Sequence, residues 1–447
     1  MRVSVLFMLM GGCIVVSGTG PKADPLFPKG KYPALEANMA RHDRQFYEFT
    51  ALPFGLSLDT RPKDAASAEL IDQFLAQDAS DDVKAVTGKH PFELLSTYGE
   101  YGDLGFFGGA GVVATAYRYM TLRRDGAPKD ELEKARGHLV RAARSWHVFK
   151  VVTGGGGLVA RGIRRLVPED PSDPPIPNAS VQTTPLFDDD GNPLPQPKDN
   201  GTLRDDNSGG LLPEGTWSWT DSCSKDQMVG QVFAMVSLYD AMKDDPDIDQ
   251  TLVTQLQDDA RLIGEMLMLK RDISQMEGPV GEGMYDLIIM DADGRPTYYH
   301  DLNPLSLEKF YAPPEQGIYN LFNLMMSWGI IKGLLHISGD EALEKFLYED
   351  LLSERAYPAK LLKEHADQAL DYIYMGIDTN FDNPDLISVA LWPALYTEND
   401  PEVRAPLEKF MNESWWDRPG ESHTARLCKQ PYWHAIYLAL TDRGADP

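Results

Sequence analysis

The sequence predicts an all-α protein built from helical hairpins, and two observations lead to that fold class. Apolar residues recur at helical spacing along most of the 447 residues, in stretches that are alternately apolar all round and amphipathic. Short acidic turns near Asp125, Asp245, Asp340 and Asp400 join one kind of stretch to the next. We therefore expect four inner helices, each followed by an outer partner, although no sequence period relates them.

The chain before the first of these hairpins is expected to be peripheral. Residues 21–62 are rich in proline and charge and predict an irregular arm, while residues 63–77 carry one apolar stripe and predict a surface helix. A glycine-rich span then leads into a small-residue helix that ends near Leu122. Residues 129–150 form the first outer helix, with apolar side chains on one face and charged ones opposite. Residues 63–447 are thus expected to form a single domain.

A helix that starts near Lys225 lies at the centre of the predicted fold. Ser224 and Gln227 have the spacing of a capping box, in which each side chain bonds a backbone N–H at the helix start. Apolar residues from Met228 to Met242 cover more than one face, so other helices should surround this one. Further helices are predicted over residues 252–267, 318–337, 341–352, 388–396 and 403–411.

Three loops between the helices invite a functional interpretation. Residues 167–213 are crowded with proline, aspartate, asparagine and glycine, which predicts a long surface excursion that is either a lid or a mobile insertion. Residues 152–165 hold four consecutive glycines, but the Gly-Lys-Ser/Thr ending and the preceding strand of a nucleotide site are missing. Asp291, Asp293 and Gly294 indicate a tight turn and not a calcium loop. No metal or cofactor is expected.

The first 20 residues are expected to be an export signal. They combine one arginine, an apolar run too short to span a bilayer, and small residues at the end. Two processing routes are open: cleavage between Ser17 and Gly20, or cleavage before Cys13, where Met10-Gly11-Gly12-Cys13 resembles a bacterial lipoprotein box and would leave a lipid anchor on Cys13. We therefore expect an exported protein, either periplasmic, lipid-anchored at the cell surface or secreted.

Charge and cysteine content narrow the partners and the covalent structure. The net charge of -26 argues against nucleic acids and anionic membrane surfaces as partners. After processing, Cys223 and Cys428 remain, and in an oxidising compartment they either form a disulfide or stay as two buried thiols. A bond would hold the C-terminal helix against the central one.

The strongest signal for a site lies in the loop before the central helix. Trp217 and Trp219 offer flat apolar faces beside Asp221 and Asp226, a combination that suits sugar rings. These residues also fit a structural role, because Asp226 favours the helix dipole and the tryptophans can close the end of a core. Further candidates, each weak alone, are Glu100 and Asp103 in the glycine-rich span, Arg161 as an anion clamp, Asp378 and Asp382 between later helices, and His423 near the C terminus.

Four stretches resemble the (α/α) toroid of the six-hairpin glycosidase-like proteins. They are TWSWTDSCSKDQMVGQVFAM at 216–235, GLVARGI at 157–163, SGDEAL at 338–343 and ENDPEVR at 398–404. The chain is also similar to uncharacterised exported bacterial proteins of that shape, over about residues 90–440. The resemblance implies an all-α ring of hairpins with a cleft at one end, where carboxylates act as acid and base on a glycan.

Two classes of function remain after the sequence is read. A glycoside hydrolase would place two carboxylates beside the scissile bond and stack the sugar on Trp217 and Trp219, and its carboxylates would come from Asp221, Asp226, Asp378 and Asp382. A polysaccharide lyase would instead use His423 or a tyrosine as base and Arg161 to neutralise a uronate. The alternative to both enzymes is a non-catalytic exported or lipid-anchored protein that binds carbohydrate. A sugar epimerase of the same shape is disfavoured because such enzymes are typically cytosolic.

Overall fold

The computed structural model describes residues 30–77, 79–188, 190–192, 194, 199–272, 283–306, 319–357, 382–416, 436–437 and 439–440. The structure is 55% helical and 11% strand. The all-α prediction is therefore wrong, because several loops between the helices pair into small antiparallel sheets. Among the described helices, none has both the length and the apolar character needed to cross a bilayer.

The described helices fall where the apolar periodicity predicts them, with additions near the N terminus. Residues 46–50, 104–108, 346–354 and 410–416 are π-helical, and residues 101–103 form one 3₁₀ turn. The α-helices are α1 (Pro33–Gln45), α2 (Ala65–Ala76), α3 (Val83–Thr87), α4 (Pro91–Leu94), α5 (Gly109–Asp125), α6 (Lys129–Val151), α7 (Lys225–Met242), α8 (Gln250–Met268), α9 (Leu321–Ser338), α10 (Glu341–Lys345), α11 (Asp382–Tyr396) and α12 (Pro401–Lys409).

Within the described part of the chain, four helix pairs form the body of the protein: α5 with α6, α7 with α8, α9 with α10, and α11 with α12. Helix α7 is buried on all sides and packs against α5, α9 and α11 as well as its own partner α8. The acidic turns begin the outer helices, since Asp249, Asp340 and Asp400 each accept a hydrogen bond from a backbone N–H of the helix that follows. The predicted order of inner helix, acidic turn and outer helix is confirmed for these pairs.

Nine short strands lie in the loops of the described chain. They are β1 (Asp59–Pro62), β2 (Leu95–Gly99), β3 (Gly162–Arg165), β4 (Leu203–Asp205), β5 (Trp217–Thr220), β6 (Arg271–Asp272), β7 (Met284–Tyr285), β8 (Ile288–Met290) and β9 (Pro296–Asp301). Strand β5 is the centre of a three-stranded sheet of order β3-β5-β4, and the other strands form antiparallel pairs. In β5 the sequence TWSWT alternates in the manner of a strand, and pairing on both edges satisfies its backbone.

Two segments predicted to be irregular contain more structure than expected. The arm at 21–62 includes α1, whose side chains are almost all outside the core, and strand β1, which pairs with β2. The excursion at 167–213 buries Ile176, Ala179 and Leu186 and supplies strand β4. The part of this excursion that the structure describes is therefore packed against the body.

Helices α5 and α7 approach each other through glycines. A Cβ atom on Gly230 would lie 2.5 Å from the carbonyl oxygen of Gly105, and one on Gly109 would lie 2.6 Å from the carbonyl oxygen of Gly230. Because real Cβ atoms do not come so close to backbone atoms, only glycine permits this crossing. The crossing brings residues 103–106 beside the first turn of α7.

Candidate active site at the start of helix α7

The first turn of α7 is held by partners distant in sequence and not by the predicted capping box. Ser224 has the extended backbone of an N-cap residue, but its side chain makes no capping bond. Its hydroxyl instead accepts a hydrogen bond from Arg161 Nη1 at 2.7 Å. Gln227 is 1% exposed, and its Oε1 accepts from the backbone N–H of Phe106 at 2.9 Å. The capping-box prediction is wrong, and both side chains serve the site.

Arg161 joins three segments at this point. Its backbone N–H donates to the carbonyl of Thr220, which aligns β3 with β5, and the residue is 7% exposed. Beyond Ser224, Nη1 donates to Asn200 Oδ1 at 2.9 Å and Nη2 to Asp103 Oδ1 at 3.3 Å. The close packing of Gly162 against the carbonyl of Tyr101 brings β3 onto the turn that carries Asp103. Arg161 therefore anchors Asp103 beside α7.

Asp103 and Asp226 form a pair of carboxylates around one amide nitrogen. Gln227 Nε2 lies 3.5 Å from Asp103 Oδ1 and 3.1 Å from Asp226 Oδ2. Since both contacts end on the same atom, the two carboxylate oxygens are at most about 7 Å apart. Both residues are half-exposed, so a ligand can approach them from solvent. We call Asp103, Arg161, Ser224, Asp226 and Gln227 the Gln227 cluster.

Asp221, the other carboxylate predicted in this loop, has a structural position. Its side chain is 2% exposed and accepts hydrogen bonds from Arg204 Nε at 2.6 Å and from the Thr202 backbone N–H at 2.7 Å. Burial and the nearby carboxylate of Asp291 raise the pKa of Asp221, while the Thr202 amide and Arg204 oppose that shift. Asp221 therefore ties β5 to β4 and does not face a ligand.

The tryptophans expected to stack on a sugar are part of the core. Trp219 is fully buried and donates Nε1–H to the carbonyl of Asp205 at 2.7 Å. Trp217 is 6% exposed and packs edge-on against Phe54. Their structural interpretation, that they close the end of a core, fits these positions. Glu100 is exposed and has a left-handed backbone with φ of 57°, at the start of the turn that carries Asp103.

The β8–β9 hairpin adds residues to this region that the sequence analysis did not select. The Tyr298 backbone N–H donates to Ser222 Oγ at 2.8 Å, and Lys225 Nζ lies 3.7 Å from Asp301 Oδ1. These contacts hold the hairpin beside the first turn of α7. Tyr298 and Tyr299 are 41% and 45% exposed and lie edge to face. The two adjacent tyrosines were the sequence feature that could have pointed to this hairpin. Their position beside the first turn of α7, which carries Asp226, follows only from the contacts with Ser222 and Lys225.

His300 on the same hairpin has a defined tautomer. Its Nδ1 lies 2.7 Å from the carbonyl oxygen of Thr297, which can only accept, so Nδ1 carries the proton. Burial lowers the pKa of His300, although the neighbouring Asp301 opposes this effect. The imidazole is therefore neutral at pH 7, with an unprotonated Nε2.

The remaining predicted site residues are described only in part. Asp378, His423, Cys428 and Cys13 lie outside the described residues, and so does the export signal at 1–20. Asp382 is the first residue of α11, and its side chain is outside the description. Cys223 is fully buried, and burial raises the pKa of its thiol. Its pairing with Cys428 stays a prediction.

Neither the grouping of metal-binding side chains nor the comparisons with known proteins assigns a function. Within the described residues, no three histidine, cysteine or acidic side chains are grouped so that they could hold a metal ion. Comparison of the chain with protein-family models, with curated proteins and with solved structures found no match. The resemblance to six-hairpin glycosidase-like proteins therefore stays a prediction, and the Gln227 cluster must be interpreted from its own geometry.

Proposed function

We propose that this protein is a glycoside hydrolase whose reacting carboxylates are Asp103 and Asp226. The observation that carries the proposal is their contact with one nitrogen of Gln227, at 3.5 and 3.1 Å. Glycoside hydrolysis needs two carboxyl groups, about 5–5.5 Å apart for retention and about 6.5–9.5 Å apart for inversion. The upper limit of about 7 Å between the Asp103 and Asp226 oxygens is compatible with the separation needed for retention and with the lower end of that needed for inversion.

The partners of the two carboxylates suggest different roles. Asp103 is bonded to the Arg161 guanidinium, so we assign it as the nucleophile or base, which acts in its charged form. Asp226 accepts a hydrogen bond from the neutral amide of Gln227, which stabilises a charged carboxylate less than a guanidinium does, so we assign Asp226 as the general acid. A lyase is less favoured, because Arg161 is already committed to Asp103 and would have to leave it to neutralise a uronate.

Sugar stacking, expected at Trp217 and Trp219, is reassigned in this proposal to Tyr298 and Tyr299. These rings are exposed, and the hairpin that carries them is bonded to Ser222 and Lys225 beside the cluster. Aromatic rings with one apolar face and a polar edge suit the faces and hydroxyl groups of a sugar. The substrate would therefore extend from the carboxylate pair towards the hairpin.

The test is a paired carboxylate experiment. Asp103→Asn and Asp226→Asn are assayed for reducing-sugar release from a panel of soluble β- and α-glucans, xylan, chitin oligosaccharides and polyuronates. We expect each variant to lose about 10²–10⁴-fold in rate on any polysaccharide that the wild-type chain cleaves. Asp72→Asn on α2 removes an exposed carboxylate away from the site and should leave the rate unchanged. Wild-type rates in both cluster variants would contradict the assignment.

A binding protein without catalysis is the second candidate, favoured by the ion pair between Arg161 and Asp103. A carboxylate already neutralised inside the protein can fix a loop or bond sugar hydroxyls without taking part in chemistry. This version predicts retention of the chain on a polysaccharide, no product on long incubation, and binding that survives Asp226→Asn. Export, by either processing route, suits both candidates and stays part of the proposal.

A further inference from the structure

A large groove beside α5 shares no lining residue with the Gln227 cluster. It has a volume of about 860 Å³ and is bounded by α1, by the π-helical residues 46–50 and by the C-terminal half of α5. This volume falls in the range of about 300–1,000 Å³ that is usual for small-molecule sites. Its apolar wall consists of Met39, Phe46, Tyr117 and Leu122.

One charged side chain in this groove is held in place but not fully paired. Arg118 Nε donates to Asp43 Oδ2 at 3.0 Å, and the guanidinium lies 5.4 Å from the centre of the Tyr47 ring. Arg118 Nη1 is buried and has no hydrogen-bond partner. The Arg118 side chain as a whole is 23% exposed. A charged donor without an acceptor is unfavourable, so the exposed part of the guanidinium is suited to donate to a ligand oxygen.

The Tyr47 ring beside Arg118 is held by two contacts. The Tyr47 ring stacks on His138 with 3.8 Å between ring centres and 10° between planes, and its hydroxyl lies 3.2 Å from Thr115 Oγ1. Burial lowers the pKa of His138 to about 4, so this ring is neutral at pH 7. Positioning of the guanidinium by Asp43 and Tyr47 reduces the entropy that a ligand would have to remove.

The charged residues that line the groove favour a ligand with a single negative charge. Asp43 is engaged by Arg118 Nε, and Glu131 is exposed where α6 begins. Arg118 is the one permanently charged cation among the described residues that line the groove. A ligand with several negative charges would be repelled by Glu131, whereas a single carboxylate attached to an apolar body matches both parts.

We propose that this groove binds a small amphipathic monocarboxylate, with its carboxylate on the exposed part of the Arg118 guanidinium and its apolar part along Met39, Phe46 and Tyr117. Planar guanidinium groups bond carboxylates in a fork that an ammonium group cannot reproduce. The site is separate from the Gln227 cluster and does not depend on glycan hydrolysis.

The experiment titrates the full chain with 11-(dansylamino)undecanoate and follows dansyl fluorescence, with displacement by dodecanoate. We expect saturable binding that is weakened at least tenfold in Arg118→Met and by less in Arg118→Lys, which keeps the charge but loses the fork. Arg124→Met, an exposed arginine further along α5, is the matched control and should bind as the wild type does. Dodecanol, which has the tail without the charge, should displace the probe poorly.

Several outcomes would overturn this proposal. They are the absence of saturable binding, equal affinity in Arg118→Met, and displacement by dodecanol as effective as that by dodecanoate. Tyr117→Ser guards against a misfolded arginine variant, because it changes the apolar wall without touching the guanidinium; it should weaken dodecanoate binding, and unchanged binding would also refute the site. Asp226→Asn should bind dodecanoate normally, which separates this site from the proposed hydrolase.

Discussion

Asp221→Asn tests whether this aspartate is structural, as its ion pair with Arg204 indicates. The substitution keeps the size of the side chain and removes its charge. Arg204, which is 5% exposed, then loses the carboxylate oxygen that lies 2.6 Å from its Nη2. Removing one partner of a buried pair leaves an uncompensated charge, which typically costs about 3–5 kcal/mol. That loss is a large share of the roughly 5–15 kcal/mol by which proteins are usually stable.

The expected shift in melting temperature is modest because the chain is long. An unfolding entropy of about 2.1 cal/mol/K per residue, applied to 447 residues, gives roughly 0.9 kcal/mol/K. A loss of about 4 kcal/mol then lowers Tm by about 4 °C. Urea unfolding gives the free energy of unfolding directly, and circular dichroism shows whether the native state is retained.

Two companion variants show whether burial causes the effect. Asp72→Asn breaks an exposed pair with Arg41, whose side chains are 73% and 51% exposed, and should leave Tm unchanged. Asp221→Leu combined with Arg204→Met removes both buried charges and should recover part of the loss. If Asp221→Asn melts within 1 °C of the wild type, a fully desolvated pair at this position is refuted, and Asp221 returns to the set of accessible carboxylates.

Two further predictions concern the packing of α5 against α7 and a partly buried histidine. Gly230→Ala places a Cβ 2.5 Å from backbone atoms of Gly105 and Phe106, so it should lower the free energy of unfolding by about 1–3 kcal/mol. Gly137→Ala lies at an exposed position of α6 where a Cβ meets no atom within 4 Å, so it should raise the free energy of unfolding by up to about 1 kcal/mol. Equal effects of the two substitutions would refute the close crossing. His138 has a pKa lowered by burial to about 4, so the folded state prefers its neutral form and stability should fall as pH decreases from about 6.5 to about 4. Urea unfolding at pH 7 and pH 4.5 should show this decrease in the wild type and a smaller one in His138→Gln; equal decreases would contradict the neutral ring.

The helices of this protein could be predicted closely because their signal is local. The apolar residues of α7 and the single stripe of α6 define start and end within a few residues of those observed. Strands of two to six residues give no comparable signal, and most of them lie in loops rich in glycine, proline and charge. Only TWSWT, which includes β5, shows a clear alternation of polar and aromatic residues. Because this segment is so short, it was not recognised as a strand, and its two tryptophans were interpreted as ligand contacts.

The sequence predicted which part of the chain carries the candidate site, but it did not predict which side chains contact each other there. Asp103, Arg161 and Asp226 were selected by residue type, and the structure brings them together around Gln227. Asp221 was selected on the same grounds, yet its partner Arg204 comes from the excursion at 167–213, and no local pattern announces that pairing. Likewise Tyr298 and Tyr299 are 77 or more residues from Asp221 in sequence. The hydrogen bond from the Tyr298 backbone N–H to Ser222 Oγ brings them to this loop.

The capping-box prediction is wrong because a buried arginine competes with the helix start for the Ser224 hydroxyl. A serine cap on a backbone N–H contributes about 0.5–2 kcal/mol. A hydrogen bond to a charged group contributes about 1.5–3 kcal/mol, and a buried charged donor left without its acceptor is penalised further. Arg161 is 7% exposed and needs acceptors, so Ser224 contributes more by accepting from Arg161 than by capping α7. The burial of one arginine thereby redirects Ser224, while the glycine crossing brings Phe106 to Gln227 and leaves its Nε2 between the two carboxylates.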